Sequence, residues 1–182
     1  MYIPIILGTS REGRKSKFVA DFMLAKVKAE NIETEIIDTL DFIAIVDDAK
    51  KRDSFKNYFA EKIIKADALI IVSPEYNHSY PGELKMMMDL LFDEFDKKPV
   101  GMCGVSKGIF GGARMLEMLK LLCVSFNMRP INREVMYFRN INTLFTEDGK
   151  ITDPIYETQA PKFINYLKNQ ADEYRSQNPF KA

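Results

Sequence analysis

Residues 2–29 read YIPIILGTSREGRKSKFVADFMLAKVKA, and two hydrophobic periods meet within them. Residues 2–7 are a short aliphatic run closed by Gly8, the composition of a strand buried on both faces. Over residues 15–29 the apolar positions Phe18, Val19, Phe22, Met23 and Val27, with the stem of Lys26, return at intervals of three and four. That spacing predicts one helical face laid on a sheet. Between strand and helix lies a segment of hydroxyls, glycines and positive charge, residues 8–17.

Outward from this unit the alternation repeats. Residues 35–37, 68–72 and 100–105 are again short β-branched or aliphatic runs, and residues 129–138 supply a fifth strand. Helical spacing returns over residues 49–65 (Phe55, Tyr58, Phe59, Ile63), 113–126 (Leu116, Leu119, Leu122, Cys123, Phe126) and 154–174 (Phe163, Ile164, Leu167). A helix over residues 81–95 carries Leu84, Met87, Met88, Leu91 and Phe95 inward, with Pro81 in its first turn. Glu147-Asp148-Gly149-Lys150, set between Leu144-Phe145 and Ile151, reads as the turn of a small hairpin near the sheet edge. Parallel neighbours need long right-handed crossovers, which helices supply, so the expected architecture is a three-layer α/β/α sandwich around a parallel sheet.

The chain has 182 residues, of which 46% are hydrophobic; one core and one domain spanning residues 1–182 are expected. Lys plus Arg equals Asp plus Glu at 26 each, so the general positive field of a nucleic-acid or membrane-surface binder is missing and neither partner is expected. The opening residues lack a positive lead and reach a glycine too soon for a signal peptide or spanning helix, which points to the cytoplasm. Cys103 and Cys123, in apolar surroundings, read as buried free thiols, and His78 is the only histidine, so no metal site is expected. The polar residues 175–182 are expected to fray.

In open α/β sheets ligands bind beyond the carboxyl ends of the strands, which selects three loops. The first, residues 8–17, offers hydroxyls at Thr9, Ser10 and Ser16 at a helix start whose dipole favours an anion. It also holds Arg11, Arg14, Lys15 and Lys17, and cations at a helix start are unfavourable by up to about 1 kcal/mol each. A bound phosphate would resolve that conflict; a solvated basic turn with Ser16 near the cap has the same composition. The loop has neither the Walker pattern nor G-x-G-x-x-G. The second loop, residues 73–82, combines two prolines, Tyr76, Asn77 and Tyr80, suited to the edge and face of a flat heterocycle, although Pro81-Gly82 has a sufficient account as a helix start. The third, residues 104–114, places Gly104, Gly108, Gly111 and Gly112 where a backbone can pass close to a ligand or simply turn into a helix. No hydrolytic triad or paired acid and base accompanies them.

Together G-T-S-R-x-x-x-x-S after the first strand, S-P-E-Y-N-x-S-Y-P-G-x-L-K after the third and V-S-x-G-x-F-G-G-A-R after the fourth resemble the NADPH-dependent FMN reductases, over residues 2–126. The resemblance implies a flavodoxin-like fold with a five-stranded parallel sheet in the order 2-1-3-4-5, and FMN as cofactor with NADPH or NADH as co-substrate. It implies that Thr9, Ser10, Arg11, Ser16, Lys17 and Phe18 surround the phosphate, with Ser10, Arg11 and Ser16 holding it. Pro74, Glu75, Tyr76 and Asn77 would wrap the isoalloxazine, and Ser106, Lys107 and Gly108 would approach its other side. Extra cations and Lys17-Phe18 in the first loop depart from the family pattern. No side chain is expected to be catalytic, because the flavin carries the chemistry. The implied reaction is electron transfer from NAD(P)H to a small acceptor such as a quinone, free flavin, azo dye or metal ion. A flavodoxin-type carrier or a flavin sensor would use the same pocket, but carriers tend to be acidic, and this chain is neutral with a basic first loop. A homodimer or homotetramer is also expected, because Met86, Met87, Met88, Leu90, Leu91 and Phe92 circle the helix over residues 81–95.

Overall fold

The computed structural model describes residues 1–178. Its strands are β1 (Ile5–Leu7), β2 (Ile36–Asp38), β3 (Leu69–Pro74), β4 (Pro99–Val105), β5 (Arg129–Pro130) and β6 (Met136–Phe138). They lie in the order β2-β1-β3-β4, with β5 and β6 both paired along the free edge of β4, and every pairing is parallel. The order 2-1-3-4-5 therefore holds, with its fifth position shared by two short strands. Ile131 still donates its amide to the Val100 carbonyl (2.9 Å); the chain then turns at Glu134 through a φ of 57°, so residues 132–135 leave the edge before β6 rejoins it beside Cys103. Pro4 interrupts the first strand: pairing begins at a Tyr2–Glu33 bridge, but the continuous ladder starts only at Ile5.

The helices are α1 (Ser16–Ala29), α2 (Thr39–Ile43), α3 (Ala49–Lys65), α4 (Gly82–Met88), α5 (Ala113–Ser125), α6 (Ile141–Leu144) and α7 (Ile155–Gln177). Val19, Met23 and Val27 of α1 pack with Phe163, Ile164 and Leu167 of α7 on one face of the sheet. Phe59 and Ile63 of α3, Leu84 and Met88 of α4, and Leu116 and Leu119 of α5 cover the other. Within β1, Ile5 and Leu7 join the first core and Ile6 the second, as a strand buried on both faces must.

The helix expected over residues 81–95 is shorter. α4 ends at Met88, i→i+3 turns follow, and a 3₁₀ turn at Asp93–Phe95 returns Phe95 to the core against Phe59 and Phe126. Hydrophobic spacing of three and four describes both arrangements, so it conceals the break. α2 and α6 were not foreseen, being too short to show a period. The expected hairpin is present as the Phe145–Ile151 bridge, with Gly149 at φ 80°. α7 carries residues 175–177 in helix; the end of the tail expected to fray lies outside the described residues. Among the described residues, no helix is long and apolar enough to cross a membrane.

At the amino ends of the strands the polar groups are closed on one another. The fully buried Lys98 donates to the carbonyls of Ala66 (2.7 Å) and Ile64 (3.3 Å) and to the Tyr174 hydroxyl (3.4 Å). Nearby, Glu35 accepts from Tyr2 (2.8 Å), Lys62 (2.7 Å) and Tyr58 (3.2 Å).

Candidate functional site

At the carboxyl ends of β1, β3 and β4 the three loops converge on a cavity of about 680 Å³, within the range of small-molecule sites. Its wall comprises residues 11–16, residues 74–77 and residues 105–107, together with Ile141 and Asn142.

Loop 8–17 reaches the cavity through a close approach and an ion pair. A Cβ on Gly8 would stand 2.9 Å from Leu84 and 3.3 Å from Ser73, so glycine lets the loop leave between β3 and α4. Arg14 then forks onto Asp38, at 2.8 and 2.5 Å, and donates to the Thr9 carbonyl. This commits one cation of the loop to holding its shape. Lys17 pairs with Asp21 along the helix, and Phe18 stacks on Phe145 at 5.7 Å, so both side chains lie outside the cavity and only their backbone borders α1's first turn. Arg11 lies over the Tyr76 ring at 5.8 Å, and Lys15 over Phe18 at 5.4 Å.

α1 begins without a side-chain cap and without an acidic residue in its first turn. The Ser16 hydroxyl is buried there and has no hydrogen-bond partner. A buried unpaired hydroxyl at an uncapped helix start, flanked by Arg11 and Lys15, fits a phosphomonoester, which accepts from all of these donors. Thr9 and Ser10 lie behind this wall: Thr9 is fully buried, and both donate to Glu83 of α4.

The second loop is a tight turn. Tyr76 and Ser79 exchange both backbone hydrogen bonds across Asn77 (φ 49°) and His78 (φ 68°), the signature of a type I′ turn, in which asparagine tolerates the left-handed region. Tyr76 and Asn77 thereby line the cavity, while His78 is exposed away from the lining. Glu75 is 7% exposed; one oxygen pairs with Arg114 at 2.7 Å and the other is buried without a partner. The third loop is fastened to the second by the Glu75 amide on the Val105 carbonyl (3.0 Å). Gly104 and Gly111 meet so closely that a Cβ on Gly104 would lie 2.5 Å from the Gly111 oxygen. Ser106 and Lys107 line the cavity; Gly108 accepts from the Ser106 hydroxyl and lies behind the wall.

Ile141 and Asn142, at the start of α6, form a fourth segment of the wall that sequence reasoning missed. Ser106 donates its amide to Phe138 and accepts from the Ile141 amide, so β6 carries this segment to the wall. Its composition carries no signal; only the pairing of β6 with β4 brings it there. Neither thiol lines the cavity, and burial pushes both pKa values up, that of Cys123 to about 12. Among the described residues no three His, Cys, Asp or Glu side chains are grouped to hold a metal.

A doubly wound parallel sheet of this order, with an uncapped helix start and an aromatic loop at its carboxyl edge, is a flavodoxin-like architecture. Residues 1–143 match the family model for NADPH-dependent FMN reductase. A quinone reductase of Escherichia coli (strain K12) is 31% identical over 162 residues, covering 84% of this chain and 86% of that protein. An FMN-dependent NADPH-azoreductase of Staphylococcus aureus (strain USA300) is 34% identical over 177 residues, covering 90% and 91%. The NAD(P)H:(acceptor) oxidoreductase FerB of Paracoccus denitrificans superposes with a TM-score of 0.79 at 19% identity, covering 95% of this chain and 98% of that one, a likeness of fold. The chain belongs to the NADPH-dependent FMN reductase family, as an oxidoreductase with FMN as cofactor and NAD(P)H as co-substrate.

Proposed function

We propose that this enzyme passes electrons from NAD(P)H to a small flat acceptor, of the quinone, free-flavin or azo-dye class, at one shared face of its cavity. The observation that carries the reading is the buried, unpartnered Ser16 hydroxyl at the uncapped start of α1, with Tyr76 and Asn77 on the facing loop. In this reading Ser16, Arg11 and the first-turn amides hold the phosphate. Tyr76 and Asn77 border the ring system, and Ser106 and Lys107 approach from the opposite loop. FMN, when bound, supplies the hydride and electron transfer. The chain's own work is to fix the ring and keep one face open to a second flat molecule. Relatives named quinone reductase and azoreductase support the acceptor class. An enzyme fed by NAD(P)H belongs in the cytoplasm, and the two free, buried cysteines accord with that compartment.

The test is initial-rate kinetics at several fixed acceptor concentrations. Parallel double-reciprocal lines are expected. Stoichiometric NAD(P)H consumption without continued turnover, across all three acceptor classes, would replace this reading with an electron carrier.

We also propose a homodimer, as a unit that can pair again into a tetramer. Met87, Met88 and Leu91 are taken up by the chain's own core, so the argument passes to the side chains left outside. Met118, Leu121 and Val124 project from α5 at intervals of three, and Phe92, itself 62% exposed, rests on Phe126 beside them. A second copy covering this strip would bury it. Sedimentation at micromolar concentration is expected to give a dimer, and a monomer there overturns the assembly.

A further inference from the structure

Glu83 stands in the first turn of α4, outside the cavity wall, yet it organises two of the loops that form that wall. Its Oε1 accepts from the Thr9 hydroxyl at 3.1 Å, the Ser10 amide at 3.2 Å and, more weakly, the Ser10 hydroxyl at 3.4 Å. Thr9 is fully buried, so its proton can be traced. An ionised carboxylate accepts and cannot donate, which gives the single Thr9 proton to Glu83. The Thr9 oxygen is then left to accept, from the Arg11 amide at 3.3 Å and from the Tyr76 hydroxyl at 3.1 Å. One oxygen of Glu83 thus orders residues 9–11 and, through Thr9, turns the Tyr76 proton away from the cavity. Both Arg11 and Tyr76 line that cavity.

We propose that Glu83 is a positioning residue of the FMN site, acting through Thr9 on Arg11 and Tyr76; the inference rests on the cofactor reading above. Two effects of Glu83 have opposite sign. Its charge opposes a phosphate held by the neighbouring loop, whereas its acceptor oxygen holds that loop in place. Glutamine removes the charge and keeps an acceptor; alanine removes both. Comparing the two variants with each other cancels the charge and isolates the acceptor.

The full-length protein, stripped of flavin, is titrated with FMN and separately with riboflavin, following flavin fluorescence. E83A is expected to bind FMN about tenfold more weakly than E83Q, the effect of about one hydrogen bond's positioning. For riboflavin the ratio between the variants is expected to be smaller, because it has no phosphate for the Arg11 segment to hold. In a Thr9→Val background, which cuts the link to Tyr76 and Arg11 but leaves Ser10, the FMN ratio should shrink to within about threefold. A brace of the fold would instead change the thermal midpoint and weaken both ligands alike. Equal FMN affinity for E83A and E83Q overturns the proposal, as does an undiminished ratio in the Thr9→Val background. If E83A does not fold, T9V and E83Q decide: T9V weakened with E83Q unchanged or tighter supports it, and T9V equal to wild type overturns it. Failure of the wild type to bind FMN at micromolar concentration would instead remove the cofactor reading, and with it this inference.

Discussion

The two ends of the sheet handle buried polarity in opposite ways. At the amino ends, Lys98 is fully buried and finds two carbonyls and a phenol, and Glu35 finds two tyrosines and a lysine. Among the described residues there, the Thr34 hydroxyl alone is buried without a partner. At the carboxyl ends, the Ser16 hydroxyl and one oxygen of Glu75 are buried and unpaired around a cavity. Unpaired buried groups cost roughly 1–3 kcal/mol each, a loss that a ligand in the cavity would recover at Ser16 and Glu75. One end closes its buried charges within the fold; the other leaves unpaired polar groups beside a cavity.

That contrast is open to direct attack. Its largest consequence is at Lys98: replacement by Met strands two backbone carbonyls and is expected to lower the unfolding free energy by about 2–4 kcal/mol, measured by urea denaturation. FMN affinity should stay within about twofold, since the residue lies at the far end of β4; a parallel loss of FMN would erase the division. Ser16→Ala is the converse. It should weaken FMN by roughly ten- to a hundredfold, the effect of one charge-assisted hydrogen bond, while riboflavin affinity and flavin-free stability hardly move. Arg11→Gln is expected to follow the same pattern with a smaller factor, about three- to tenfold, because the exposed guanidinium is screened. Equal losses for FMN and riboflavin would speak against the phosphate role of either residue.

Smaller effects come from titration at the amino end. Burial is the largest single influence on Glu35 and raises its pKa. Hydrogen bonds from Lys62 and Tyr2, the Lys62 charge and the Tyr58 hydroxyl together outweigh it and hold the carboxyl below its ordinary value. A lowered folded pKa means stability present above the unfolded value, near 4.5, and lost as pH falls through the folded one. Glu35→Gln should therefore flatten the acid limb of the stability profile, by less than about 1 kcal/mol for so exposed a pair. Tyr2 is shifted the other way, mainly by desolvation, so its contribution is complete below its ordinary value of about 10 and fades as pH rises beyond it. Smallest is the expected inertness of Cys103 and Cys123: neither should be alkylated by iodoacetamide at pH 8 until the chain unfolds.

Much of this was legible in residue order. The alternation of two-sided strands with helices spaced at three and four implied the layers, and Gly8, Tyr76-Asn77 and Gly104 marked the loops that converge. The misreadings share a cause. Residues 81–95 kept helical spacing while the backbone tightened after Met88, and residues 129–138 kept strand composition while the backbone left the edge after Ile131 and turned at Glu134. Spacing reports which side chains face inward, not which backbone hydrogen bonds carry them there.

By itself the sequence determined the sandwich, the edge at which the cavity opens and the residue types gathered there, because periodicity and turn chemistry are local properties of each segment. Only the tertiary structure decided which polar groups are already taken. Arg14 is held by Asp38, 24 positions away, and Thr9 answers to Glu83, 74 positions away. Lys17 and Phe18 turn aside to Asp21 and Phe145, and Asn142 arrives at the wall at the start of α6, just after β6. The same charged loop serves a phosphate or merely solvates itself depending on such partners, and the partners are assigned only when separate loops are brought together at the carboxyl edge of the sheet.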